Sequence, residues 1–302
     1  MARGYVALLL LLAAIWGASF MFIKIAVDEL APTTTMALRL GFSALPLLAL
    51  VVVKLGLRPA AAQLRQITRA AIILGVVNTA LPFTLIAWGE TRIDSGVAAI
   101  GNASMPIFVV LLALRFRSSE RATGSRLFGV VLGLAGVAVL AGVDPKGGWS
   151  GAVGTLAVVV ASLSYAVGTL YTQGLLDEVR NDILAAASIS WGAVLLGPLG
   201  GLQAPSHLPS WDAIGAVLAL ALLGTVAGQL IYFRLIYSYG SARASLVVYL
   251  LPVTALFYGA LLLDEPITVA AIVGLALILT GTALGSGVLG LPRRREAVAT
   301  AP

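Results

Sequence analysis

The sequence predicts an all-α polytopic membrane protein, with ten transmembrane helices built as two inverted five-helix repeats and both termini in the cytoplasm. Three observations carry that expectation. The 302 residues are 60% hydrophobic and only 11% charged, with a mean hydropathy of +1.02, whereas soluble domains carry about 25% charged residues. Ten apolar segments of membrane-crossing length succeed one another with short connections. Finally, positions in the first half recur in the second at an almost constant offset.

The segments run over residues 5–25, 34–54, 69–89, 94–114, 123–142, 151–173, 183–202, 211–234, 242–263 and 267–289. In lipid each must satisfy its own backbone, and a helix does so. The first segment carries Trp16 and Ser19. Its Arg3 and the Ala-Ser after Gly17 imitate a cleaved signal peptide, but its apolar stretch is longer than a signal core and nine further segments follow. The second segment holds Arg39, the single clearly intramembrane basic residue, about 7–8 Å into its helix. In the third, Gly75, Asn78 and Pro82 share a face, and Glu90 and Asp94 stand beyond it. The fourth contributes Asn102 and Pro106. Glu120 precedes the fifth, which contains Gly129 and Gly133. The sixth sets Ser162, Tyr165, Thr169 and Thr172 at helical spacing, the eighth Thr225, Gln229 and Tyr232, and the ninth Ser245, Tyr249 and Pro252. Glu265 precedes the tenth, which carries Gly281 and Gly285.

Orientation follows from Lys and Arg on alternate connections. With the N-terminus inside, 15 lie on inner segments and 3 (Lys24, Arg92 and Lys146) on outer ones, Arg39 being the nineteenth. The discordant inner stretch is Asp177, Glu178, Arg180 and Asp182. The formal net charge of +6 therefore reads as a topology signal, and no nucleic-acid partner is expected.

Residues 129–142 match 274–287 at an offset of 145, which sets Gly129 on Gly274, Gly136 on Gly281 and Glu120 on Glu265; at 146, Pro106 falls on Pro252 and Ser95 on Ser241. A weaker match at 149 sets Trp16 on Tyr165. Five crossings are an odd number, so the second copy enters from the opposite face. Inverted repetition of this kind is a signature of secondary transporters, with the substrate site near the midplane between the halves.

The chain resembles the drug/metabolite transporter superfamily, in particular its ten-helix EamA-type members. The residues that carry the resemblance are WGASFMFIK at 16–24, Arg39, then Pro106, Glu120, Gly129 and Gly136, and the run LLPVTALFYGALLLDEPITVAAIVGLALILTG at 250–281. The first copy departs from the pattern where RFRSSER stands opposite LLLDEP. The resemblance implies an inner-membrane permease, usually an exporter of amino acids, other small metabolites or drugs. It divides the chain into repeats at 5–142 and 151–289, with a basic cytoplasmic tail at 290–302.

The expected substrate cavity is bordered by Trp16, Ser19, Asn78, Asn102, Tyr165, Thr169, Gln229, Tyr232 and Tyr249. For any one stripe the competing role is packing between helices. Arg39, Glu90 and Asp94 are the charged candidates: Arg39 either snorkels to the outer interface or meets an anionic substrate group or one of the two acids. Pro106 and Pro252 should kink equivalent helices, as gates or as static bends. Glu120 and Glu265 should cap the helices they precede. The GxxxG pairs suit contact between the halves or, in a homodimer, between protomers. Expected partners are a small-molecule substrate, the lipid bilayer, and a proton or another coupling ion.

No enzyme is expected. There is no cysteine and one histidine, His207, no span holds the paired acids of an intramembrane hydrolase, and no G-x-x-x-x-G-K-[ST] loop is present. Neither metal nor cofactor is anticipated. A channel or an accessory membrane subunit is the remaining alternative, although no ring of pore charges appears.

Overall fold

The computed structural model describes residues 2–116, 124–142, 148–174 and 179–285. The Glu120 position, the acids at 177 and 178, and the tail at 290–302 lie outside them. The regular structure among the described residues is entirely helical. Eight helices have the length and hydropathy to cross a membrane, and two shorter apolar ones, Val247–Leu262 and Val269–Gly285, complete a set of ten.

The first crossing is α1 (Ala2–Val27) and the second α2 (Pro32–Leu55); α3 (Leu57–Gln66) is a short helix between the second and third. It carries Arg58 and Arg65 and buries only Ala60, as expected of a basic helix lying at a membrane interface. The third crossing is α4 (Thr68–Leu74), a π-helical segment Gly75–Ala80, and α5 (Leu81–Glu90). The fourth is α6 (Ser95–Asn102) and α7 (Met105–Phe116). The fifth, sixth and seventh are α8 (Gly124–Gly142), α9 (Gly148–Gln173) and α10 (Asn181–Leu202). The eighth again contains a π segment: α11 (Trp211–Ala219), Leu220–Ala227, and α12 (Gly228–Tyr239). The ninth is α13 (Ser241–Ala244) with α14 (Val247–Leu262), and the tenth is α15 (Val269–Gly285).

Helix pairing follows a pseudo-two-fold pattern. The second crossing packs on the seventh and the fifth on the tenth, each on its own repeat mate; contact of first with ninth is answered by sixth with fourth, and third with sixth by eighth with first. The fifth–tenth contact shows the operator most clearly. A Cβ on Gly129 would lie 2.6 Å from the Gly281 carbonyl oxygen, and one on Gly136 would lie 2.9 Å from that of Gly274. Since Gly129 matches Gly274 and Gly136 matches Gly281, each glycine lies against the mate of the other, as at an isologous two-fold contact. The glycine motifs thus join the two halves of one chain. Lipid gives apolar helices no hydrophobic reason to associate, so backbone approach at small residues supplies the packing.

The outer surface of the bundle is apolar, with Leu10, Leu45, Val53, Phe128, Leu202 and Trp149 exposed. Where α2 ends and α10 begins, Asp182 binds Arg180 at 2.9 Å and Lys54 of α2 at 3.2 Å. Those partners balance part of the acidic stretch that ran against the positive-inside pattern.

Candidate functional site between the halves

The two π segments occupy equivalent crossings, and an offset of 146 sets Thr79 on Thr225. A π turn widens the helix and leaves carbonyls without their usual i+4 donors, and such turns concentrate at functional sites. In both halves those carbonyls are met by side chains from neighbouring helices. The Ser164 hydroxyl of α9 donates to Val77 O at 2.7 Å. Symmetrically, Trp16 Nε1 of α1 donates to Gly224 O at 3.0 Å, and Ser43 Oγ of α2 donates to Ala221 O at 3.1 Å. Thr225 Oγ1 donates to Leu220 O, five residues back, at 3.0 Å, which satisfies a carbonyl within the widened turn.

Arg39 is buried at 7% exposure and does not snorkel. Its Nε donates to Thr225 Oγ1 at 3.0 Å, and its guanidinium carbon lies 4.1 Å from the centre of the Phe83 ring. Phe83 in turn meets Tyr165 edge-on at 6.3 Å. On the other side of the π segment, Trp16 lies against Tyr232 at 5.3 Å, and a Cβ on Gly224 would lie 2.7 Å from Ser19 Oγ. Tyr232, Trp16, Gly224, Thr225, Arg39, Phe83 and Tyr165 therefore form one connected polar and aromatic belt drawn from both repeats. A cation there is held by a ring face and a hydroxyl, and Glu90, one of the two acids that could have paired with it, has no hydrogen-bond partner on either carboxylate oxygen.

The predicted amides lie on different crossings and meet different neighbours. Asn78 lies in the third-crossing π segment, with Oδ1 2.8 Å from where a Gly168 Cβ would stand. Asn102 ends α6, where Ser162 Oγ donates to its carbonyl at 3.3 Å. Ser162 and Gly168 are about 9 Å apart along α9. Gln229 and Tyr249 are partly buried in the first turns of α12 and α14, and Thr169 is partly buried on α9.

Pro106 marks a break instead of a kink. The α6 helix stops at Asn102, and Pro106 is the second residue of α7, where a missing N–H costs nothing. The carbonyl four residues before this proline is that of Asn102, and the Ser162 hydroxyl is the donor that reaches it. Pro252 does lie inside its helix, α14.

Glu265 is a cap, although not of the helix it precedes. The α14 helix ends in a turn with Asp264 at φ 53°, a left-handed conformation that Asp tolerates. Glu265 N–H bonds back to Gly259 O at 3.0 Å, and the side chain is thrown across to the other repeat. Ser95 N–H and Oγ donate to it at 2.8 and 2.7 Å, and Gly96 N–H at 3.3 Å. Three bonds on one carboxylate at the N-terminus of α6 satisfy orphan donors and meet the helix dipole. Thr268 Oγ1 performs the local capping of α15, accepting from Ala271 N–H at 3.1 Å. Beside this contact, Lys24 Nζ donates to Glu90 O at 2.6 Å and Ile93 O at 3.0 Å, capping the C-terminus of α5. A cavity of about 370 Å³ at these helix ends is lined by residues that include Lys24, Asp28, Arg92, Asp94, Leu263 and Glu265.

Among the described residues no group of acids and histidine is placed to hold a metal. Residues that sequence reading passed over are Ser43, Phe83, Ser164 and Gly224, and Lys24 counted only as a loop charge. Their signal was adjacency: Ser164 and Gly224 each precede a residue of a predicted stripe, and Phe83 follows Pro82.

Residues 3–142 and 152–286 each match the EamA-like transporter family. An uncharacterized transporter of Archaeoglobus fulgidus is 28% identical over 273 residues, covering 90% of this chain and 95% of its own. A probable amino-acid metabolite efflux pump of Escherichia coli is 28% identical over 309 residues, covering 99% of each. A crystal structure aligns with a TM-score of 0.65 over 98% of this chain and 99% of that one, at 18% identity, and supports the fold. With both halves matched and the inverted pairing visible in the helices, the chain belongs to the EamA-like transporter family and is a multi-pass membrane transporter, not an enzyme.

Proposed function

We propose that this protein is a secondary transporter that exports small amphipathic organic metabolites, amino acids foremost, across the inner membrane by alternating access. The observation that carries this reading is the belt around Thr225, where a buried guanidinium, a hydroxyl and aromatic rings from both repeats meet beside paired π segments. A carboxylate on the solute suits Arg39 as its charge partner. Tyr165, Trp16 and Tyr232 would flank the apolar part, with Asn78, Asn102 and Gln229 taking up polar groups. The printed name of the Escherichia coli relative, an amino-acid metabolite efflux pump, favours the same solute class. Cytoplasmic termini follow from the excess of Lys and Arg on inner connections.

In this reading the two halves rock about the glycine contact of α8 and α15, and the outer contact of Glu265 with Ser95 closes one end. Extracellular metabolite profiling of cells with and without expression, followed by flux in proteoliposomes, tests it. A neutral amino acid or related amphipathic solute should accumulate outside expressing cells. Flux unaffected by replacement of Arg39, Asn102, Gln229 and Tyr165 would remove the proposed site.

A further inference from the structure

Glu90 is the last residue of α5 and the only fully buried acid among the described residues, at 0% exposure. Both of its carboxylate oxygens lack a hydrogen-bond partner. Nearby charges face it without pairing: Lys24 from α1, Arg39 from α2, and Glu265 from the connection between α14 and α15. The Lys24 ammonium is engaged by two carbonyls, one of them that of Glu90 itself. Arg39 is turned to Thr225 and Phe83. Within its own hairpin, Arg92 is turned away onto the Trp88 ring at 3.5 Å. From α9, which packs on α5, the closest titratable side chain in the belt is Tyr165, on Phe83. An anionic carboxylate in such a place would be desolvated and unpaired, which is costly. A neutral carboxylic acid avoids that cost, and intramembrane acids without fixed partners mark proton pathways.

We propose that Glu90 is the proton-binding group of the transport cycle, neutral when the outer end is closed and exchanging its proton with the outside when that end opens. The step moves one proton between outer water and a Glu90 carboxylate oxygen; Glu90 does not itself line the cavity that Lys24 and Glu265 border, so the proton passes only when that end opens. On release, Lys24 already stands at the carbonyl of the same residue, so its ammonium can turn from the carbonyls to the new anion. This deepens the transport reading by naming its coupling ion, and the cycle itself rests on that reading; the proton site is tested without any solute.

The first measurement is infrared difference spectroscopy of the full-length protein in lipid nanodiscs between acid and alkaline pH. The expected result is a protonated-carboxyl band present at neutral pH that is missing in Glu90→Gln; a band identical in wild type and Glu90→Gln, or none in wild type, overturns the proposal. The second measures closure directly. A single cysteine replaces Ile93, buried beside the cavity at 3% exposure, and its labelling rate from outside is divided by that of a cysteine at Leu208, 91% exposed on another outer connection. The ratio should rise with pH, at most about tenfold per pH unit for one linked proton, and become independent of pH in Glu90→Gln. A ratio that is flat in wild type, or still rising in Glu90→Gln, refutes the link between Glu90 and closure. Because neither readout uses a substrate, failure here is separable from absence of flux in proteoliposomes, which would instead refute the transport reading.

Discussion

Replacing Gly281 by alanine tests the two-fold contact on which the architecture depends. A Cβ at this position would stand 2.5 Å from both the Gly129 oxygen and the Gly133 nitrogen, about 0.9 Å inside the 3.4 Å at which ordinary contact begins. Both obstructing atoms are backbone, so no side-chain rotation relieves them and α8 must move away from α15. Overpacking of this kind costs about 1–3 kcal/mol, against a gain of roughly 1 kcal/mol from replacing glycine within a helix. A net loss of up to about 2 kcal/mol is expected. The natural control is Gly197→Ala in α10, where a Cβ meets nothing within 4 Å and the helix gain should stand alone. Thermal unfolding in detergent, followed by tryptophan fluorescence, should order the variants as Gly197→Ala, wild type, Gly281→Ala, from most to least stable. Gly129→Ala overpacks the same helix contact from the other side, against Gly281 O, Gly285 N and Leu284 Cβ, so the double variant should lose less than the two single losses added together. Equal stability of Gly281→Ala and Gly197→Ala would refute the close contact.

Other expectations are independent of that contact. Glu265→Ala removes three hydrogen bonds from the start of α6 and, at about 1.5–3 kcal/mol for bonds to a charged group, should speed labelling of an Ile93 cysteine from outside; unchanged labelling would deny it a closing role. Arg39→Lys keeps the charge but loses the planar fork over Phe83, and flux should fall by about one to two orders of magnitude, as measured in proteoliposomes; wild-type flux would show that a point charge suffices. Glu29, on the connection after α1, is held below the ordinary carboxylate range by hydrogen bonds from the Ser210 hydroxyl and from Ser210 N–H, the latter at 2.8 Å. Its contribution to stability is present above its unfolded-state value and fades as pH falls through the folded one, so Glu29→Gln should flatten the acid side of a melting-temperature profile.

The ten crossings and their inverted order were legible because lipid imposes simple demands: length, hydropathy, charge bias and a glycine pattern that survives duplication. Interruptions within crossings were not. Neither π segment has a composition that separates it from an α-helix, since Gly75–Ala80 and Leu220–Ala227 are set by which carbonyls a neighbour can satisfy. Pro106 illustrates the limit from the other direction. Proline announces a lost donor, but not that the helix stops at Asn102 and restarts at Met105, beside a Ser162 hydroxyl within reach of the Gly101 and Asn102 carbonyls and of Val158 O in its own helix. Charges were the hardest to place. Lys24 read as a connection charge and Glu265 as a cap of the helix it precedes, and both instead cap helices of another hairpin, while Arg39 and Glu90, natural partners by sign, face different neighbours.

Side-specific cysteine labelling tests the central claim, alternating access to a site between the repeats, and the chain has no native cysteine to remove. Single cysteines at Asn78 and Gln229, in the third and eighth crossings, should each react with membrane-impermeant reagents from either side. A transported solute should shift both sites together, raising reactivity from one side as it lowers it from the other. Simultaneous, solute-independent access from both sides would indicate a continuous pore, and no reaction from either side would leave these residues in helix packing; either result would contradict the account.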